Sequence, residues 1–329
     1  MDKIKKFEKE IIFSFVLGAV VASLLAFWGD VEETFGQLLD FNWWLALPIL
    51  VLTCLNYFLR FLRWHFFLKK VGFKHVVKLK ESGLIFLSGL PLTLSPGKTG
   101  EVLKAYFLKK ITKDHLSRTI PVVIAERLTD GLGALILLAF GFSAYRFGWL
   151  AILFAIISCG VFIFVVYSDF AWRLVSRVIN RTSGKRPFFA KFNKRLIDFR
   201  GVLLNLVGWK SLAGASMLAA TAWFSEAVGF SLIISNVAGL QFSFALLSQA
   251  VFIFCFVSIL GFVSLIPGGI GVAEGGFVGL LVLLLSLNPP QAAAVTILLR
   301  LLTLWWGVGI GLVAFFYVLG RFKREGKDD

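Results

Sequence analysis

The 329-residue chain carries 34 Lys and Arg against 19 Asp and Glu, a formal net charge of +15, and 58% of it is hydrophobic. With a mean hydropathy of +0.85, this excludes an ordinary soluble domain, which cannot hide so much apolar surface and is richer in charge. Cys54, Cys159 and Cys255 are too scattered for a disulfide framework, and the three histidines lack metal-ligand spacing; no metal or cofactor is expected, and no basic soluble module offers nucleic acid a docking element.

Lys3, Lys5, Lys6 and Lys9 precede an apolar run from Ile11 to Trp28. The charge order resembles a signal peptide, but the run is long, and Phe27 and Trp28 stand where small cleavage-site residues are needed. It reads as an uncleaved first membrane helix. The next loop holds Asp30, Glu32, Glu33 and Asp40 without Lys or Arg, and is expected outside. Trp43 to about Trp64 is the second span. It ends in Arg60 and Arg63, the latter read as a snorkelling end-of-helix residue, followed by Lys69, Lys70, Lys74, Lys78 and Lys80, a cytoplasmic signature.

Residues 82–108 are apolar but interrupted, because Pro91, Pro96, Gly97 and Gly100 cannot sit in a straight helix. Lys109, Lys110, Lys113 and Arg118 follow. A segment with basic flanks on both sides leaves and returns on one face, so a re-entrant hairpin is expected. Non-helical backbone survives at membrane depth only when buried in protein or lining a wet cavity. Lys98 and Lys104 fall at its cytoplasmic end.

Arg118 to Tyr145 then runs outward and Trp149 to Tyr167 returns. Residues 170–210 are strongly basic, with Phe188, Phe189, Phe192, Leu196, Phe199 and Leu203 at roughly helical spacing, and predict an amphipathic helix at the cytoplasmic face. Ser211 to Ile234 goes outward and contains Glu226; Phe242 to Ile266 leads into a second Pro-Gly break. Gln291 to Leu319 ends at Arg321, Lys323, Arg324 and Lys327, which makes the C-terminus cytoplasmic. By parity, residues 242–287 begin and end outside, as a broken hairpin or as two full spans.

The two broken segments match. Pro96-Gly97-Lys98-Thr99-Gly100-Glu101 is followed by Glu126, Arg127 and Asp130; Pro267-Gly268-Gly269-Ile270-Gly271-Val272-Ala273-Glu274 is followed by Arg300. Glu101 lies 26 residues before Arg127, and Glu274 lies 26 before Arg300. One hairpin opens inside and the other outside, the pattern of an inverted-topology repeat, in which broken helices meet at a midplane site. The expected architecture is an all-α polytopic integral membrane protein of about 6–8 transmembrane helices in one domain, 1–329. Repeat 1 is expected near 43–145 and repeat 2 near 211–319, joined by a helix at 147–167 and the basic segment at 170–210.

Charges inside an apolar segment must pair, face water or bind a ligand. Arg127 and Arg300 offer planar forks suited to phosphate or carboxylate, and the helix starts after Gly100 and Gly271 favour an anion. With Glu101, Glu274, Pro96, Gly97, Lys98, Pro267, Gly268 and Gly269 they form the expected substrate site. Glu126, Asp130 and Glu226 are candidates for proton or ion coupling. The plainer alternative makes Glu101–Arg127 and Glu274–Arg300 static ion pairs that fix the hairpins.

At these motifs, together with Leu298-Leu299-Arg300-Leu301-Leu302-Thr303, the chain resembles the flippase-like membrane domain of lysylphosphatidylglycerol synthases/flippases. The resemblance covers nearly the whole chain and implies movement of lipids between leaflets, with aminoacylated phosphatidylglycerol or polyprenyl-phosphate-linked sugars as cargo. The soluble aminoacyl-transferase domain of the synthases is expected to be absent, so lysyl transfer is not implied.

The reading is therefore a lipid translocase of the cell membrane rather than an enzyme, with both termini cytoplasmic, membrane lipids as partners and a lipid synthase as a separate chain. An ion-coupled transporter of a small anion shares the repeat and the arginines. A membrane-embedded lipid-modifying enzyme would need a nucleophile or metal cluster that the sequence does not display.

Overall fold

A computed structural model describes residues 16–73, 76–95, 102–141, 187–264 and 266–325, with scattered positions between 153 and 177. Within those residues the chain is all-α, and five helical stretches are long and apolar enough to cross a membrane: Trp43–Val71, Trp209–Val237, Phe244–Val263, Pro267–Leu285 and Pro289–Arg321. The protein is an all-α polytopic membrane protein. Pro96, Gly97, Lys98, Gly100 and Glu101, and most of the helix expected at 147–167, lie outside the described residues.

Helix α1, Val16–Trp28, is apolar. The acidic stretch after it, expected as a loop, is helix α2, Val31–Asp40. Asp30 starts it: its Oδ1 accepts from the amides of Glu32 (3.0 Å) and Glu33 (3.3 Å), and the acidic first turn suits the positive end of the helix. Helix α3, Ala46–Val71, continues past the expected Trp64 and stops at Gly72, whose φ of 98° suits glycine.

Two short helices follow. α4, Leu79–Ser88, and α5, Val102–Thr112, have 10 and 11 residues. At about 1.5 Å per residue each covers about half of a ~30 Å hydrocarbon core. A 3₁₀ turn at Pro91–Leu94 lies between them. α6, Leu116–Gly141, is a full-length helix carrying Glu126, Arg127 and Asp130. α7 is Pro187–Leu206, and its Leu203 and Leu206 are buried in the bundle. α8, Trp209–Val237, and α9, Phe244–Val263, precede a second break at Pro267–Gly269, where Gly268 and Gly269 hold φ of 61° and 66°. These left-handed values explain the Pro-Gly-Gly run. α10, Val272–Leu285, is again short, with 14 residues.

α11, Pro289–Arg300, passes through a π turn at Leu301–Trp305 into α12, Trp306–Glu325. A π turn interrupts the regular i→i−4 ladder. Here α3 supplies donors to that turn: Thr53 Oγ1 donates to the Leu302 carbonyl at 3.2 Å and Tyr57 Oη to the Thr303 carbonyl at 2.8 Å. Gly307 lies against the Tyr57 hydroxyl, where any Cβ would overlap it.

α3 and α8 pack along each other and exchange hydrogen bonds. Asn56 Nδ2 donates to the Ala222 carbonyl (2.8 Å) and Ser225 Oγ to the Leu52 carbonyl (3.1 Å). α6 packs on α9, α4 packs on α12, and the two 3₁₀ breaks touch. The buried side chains form two main apolar clusters. One gathers Ile49, Leu138, Phe230, Phe277 and Leu298; the other gathers Trp64, Phe67, Leu108, Leu206 and Phe315. Asp130 falls between Leu128 of the second cluster and Leu137 of the first.

Candidate functional site

Between the clusters lies a cavity of about 370 Å³, within the ~300–1,000 Å³ typical of ligand sites. α3, α6, α8, α9, α10, α11, the π turn, the start of α12 and both 3₁₀ breaks wall it, the breaks through Thr93 and Gly268. Most of the wall is apolar or aromatic, including Leu128, Leu135, Phe254, Ile259 and Phe277. Its charged members are Arg60, Arg127, Asp130, Glu226 and Arg300.

Asp130 is the hub of the charged set. Its carboxylate meets Arg63 Nη2 at 2.6 Å, Arg127 Nη1 at 3.2 Å and Arg60 Nη2 at 3.9 Å, and accepts from Trp223 Nε1 at 3.3 Å. Asp130 and Arg127 share α6 at i, i+3 spacing, while Arg60 and Arg63 present one face of α3 by the same spacing. Arg63 is fully buried, and Arg60 reaches the cavity wall.

Across the cavity, Glu274 does two jobs. Oε1 meets Arg300 Nε at 2.6 Å, and Oε2 accepts from the Gly271 amide at 2.6 Å, capping α10. The Arg300 guanidinium also stands 5.9 Å from the Phe277 ring centre. So the helix start expected to face a substrate anion has one of its amides engaged by Glu274. Pro267 and Gly269 shape the turn, Gly269 lying close against Gly261 of α9.

Glu126, adjacent to Arg127, points away from the cavity. It is fully buried and pairs with Lys104 Nζ of α5 at 2.8 Å. Lys104 in turn lies 4.8 Å from the Trp64 ring centre. Lys104, expected at the cytoplasmic end of the hairpin, is thus buried, and Arg63 is an internal ion-pair partner rather than a snorkelling residue. Both corrections have one cause: each cation has a buried carboxylate in reach, and pairing keeps a charge inside.

The structure brings together Arg127, Asp130, Glu226, Arg300 and Gly268 on one cavity and sets Glu274 directly behind Arg300. Tyr57, Arg60, Arg63 and Trp223 were not anticipated as site residues. The i, i+3 arginines on α3 are a visible signal in the sequence, but there they look like positive-inside charge.

Comparison with known proteins adds a family. The family model described as "Lysylphosphatidylglycerol synthase TM region" matches residues 12–311. A UPF0104 membrane protein of Methanocaldococcus jannaschii is 28% identical over 243 residues, covering 72% of this chain and 97% of that relative. A UPF0104 membrane protein of Pyrococcus horikoshii is 22% identical over 315 residues, covering 88% and 92%.

Proposed function

Because the chain belongs to the family of the lysylphosphatidylglycerol synthase TM region, we propose that its cavity passes the anionic head group of a membrane lipid between leaflets while the acyl chains stay in the bilayer. The observation that carries this reading is the meeting of Arg60, Arg127 and Arg300, from three helices, in a largely apolar cavity. A charge at membrane depth costs about 2.5–3.5 kcal/mol on insertion scales, and buried ion pairs add little net stability. A bundle needing only rigidity would use apolar residues there. Guanidinium groups that share a space are suited to a phosphate, which takes planar, bidentate hydrogen bonds.

The apolar wall favours a lipid over a small soluble anion, which has no use for Leu128, Leu135, Phe254 and Phe277. The wall also continues onto Phe262 and Val263, 44% and 53% exposed. Alternating exposure of the site by two inverted repeats is supported by the short helices α4 and α5 around the first break and α10 after the second, by the contact between the breaks, and by the packing of α4 on α12 and α6 on α9. Aminoacylated and polyprenyl-phosphate-linked lipids carry the phosphate this site suits. We read the protein as a transporter rather than an enzyme, in the cell membrane with cytoplasmic termini, served by a lipid synthase on another chain.

The test is reconstitution into phosphatidylcholine vesicles with acyl-labelled phosphatidylglycerol and an impermeant quencher. The protein is expected to speed loss of inner-leaflet label. Arg60→Ala and Arg300→Ala are each expected to slow it about tenfold, equivalent to ~1.4 kcal/mol. Full activity in the Arg127→Ala/Arg300→Ala double variant sinks the site. Protein-dependent uptake of inorganic phosphate without lipid movement transfers the reading to a small-anion transporter.

A further inference from the structure

Glu226 stands apart from the other carboxylates. Asp130 is held by Arg63 and Arg127, Glu274 by Arg300 and the Gly271 amide, and Glu126 by Lys104. Glu226 lines the cavity from α8 and, among the described residues, has no cation within 4.0 Å. Its electrostatic neighbours come from the helices around it. They are Tyr57 and Arg60 on α3, Asp130 beside Arg127 on α6, Cys255 on α9, and Arg300 on α11 with Glu274 of α10 behind it. Arg60 reaches Asp130 only at 3.9 Å, beyond hydrogen-bond distance.

Among the described residues Glu226 is therefore the carboxylate of the cavity wall that no ion pair engages, and it lies in the field of Arg60 and Arg300. A phosphate arriving among the same guanidinium groups puts a further anion beside Glu226 in one low-dielectric space, where like charges repel strongly. Asp130 and Glu274 are already committed to arginines, so Glu226 is the group able to relieve that repulsion. Resting on the transport reading above, we propose that Glu226 takes up one proton from the entry side as an anionic head group binds and releases it on the exit side as the head group leaves. Lipid anion and proton then cross together, and no net charge moves. Transport follows a pH gradient and ignores the membrane potential.

The experiment uses the full-length protein in vesicles with acyl-labelled phosphatidylglycerol, under either a pH step or a valinomycin-clamped potassium potential. Wild type is expected to enrich label in the leaflet facing the alkaline compartment, up to about tenfold per pH unit at one proton per lipid, with no response to potential. Glu226→Gln is expected to lose the pH-driven enrichment and to respond to potential; Glu226→Asp restores the pH response. Wild-type enrichment that follows potential rather than pH overturns the proposal, as does a Glu226→Gln protein that still follows pH. Absence of any protein-dependent label movement counts against the transport reading itself. If Glu226→Gln does not fold, proton uptake by detergent-solubilised wild type decides: short-chain phosphatidylglycerol is expected to draw about one proton per lipid bound, and none overturns the proposal.

Discussion

Lys113 and Ser286 hold the same left-handed backbone, φ 54° and 55°, and each stands 14 residues before an arginine of the site, Arg127 and Arg300. Left-handed φ is uncommon outside glycine. Lys113 follows α5 and Ser286 follows α10, the short helices after the two breaks. If the halves are inverted, these matched corners lie on opposite sides of the bilayer. With the native cysteines replaced, Lys113→Cys and Ser286→Cys are expected to react with an impermeant maleimide from opposite sides. Reaction of both from one side refutes the inversion.

Arg60 and Arg63 share Asp130 but are expected to fail differently. Arg63 is fully buried and 2.6 Å from Asp130, so Arg63→Ala withdraws one partner of a buried pair and is expected to cost about 3–5 kcal/mol. That appears as a lower melting temperature in detergent. Arg60, at 3.9 Å and on the cavity wall, contributes little to that pair; Arg60→Ala is expected to melt near wild type while slowing transport about tenfold. Equal destabilisation by both would contradict this division.

Tyr57 and Gly307 form a coupled pair at the π turn. Tyr57→Phe removes the donor to the Thr303 carbonyl and is expected to cost about 1–3 kcal/mol for an unsatisfied buried group. Gly307→Ala pushes a methyl into the Tyr57 hydroxyl. The double variant is expected to be more stable than the two single effects predict, because deleting the hydroxyl makes room for the methyl. Thermal melts of the four proteins of the cycle measure that coupling, and strict additivity would rule it out.

Glu274 caps α10 with one oxygen and holds Arg300 with the other. Glu274→Gln keeps an acceptor for the Gly271 amide, whereas Glu274→Ala loses both contacts. Alanine is expected to be the less stable by about 1 kcal/mol, the usual effect of a lost cap. Matching melting temperatures for the two variants would show that the cap contributes nothing.

Much of this was legible in the sequence because the signals are local. The long apolar runs became α3, α8 and α9 within a few residues at most ends, and the Pro-Gly runs predicted a broken backbone, seen directly at Gly268 and Gly269. The 26-residue spacing to Arg127 and Arg300 marked two helices that do meet one cavity. Pairing was less legible, because it depends on which helix lies beside which. Arg60 and Arg63 look like flanking charge until α6 brings Asp130 against them, and Lys104 looks exposed until Glu126 faces it. The π turn leaves no local signal, since its donors Thr53 and Tyr57 lie about 250 residues away in the chain. α2 was missed for a simpler reason: four acids hid the cap and an apolar face of Val31, Phe35 and Leu39.

Each apolar cluster recruits helices from both ends of the chain: Ile49 and Leu138 sit with Phe230 and Leu298, and Trp64 and Leu108 with Leu206 and Phe315. Neither half closes an interior of its own. A gene severed between α6 and α7 would therefore encode two fragments that each leave a sticky flank bare in the lipid, and the two should co-purify as a single reassembled particle when made in the same cell.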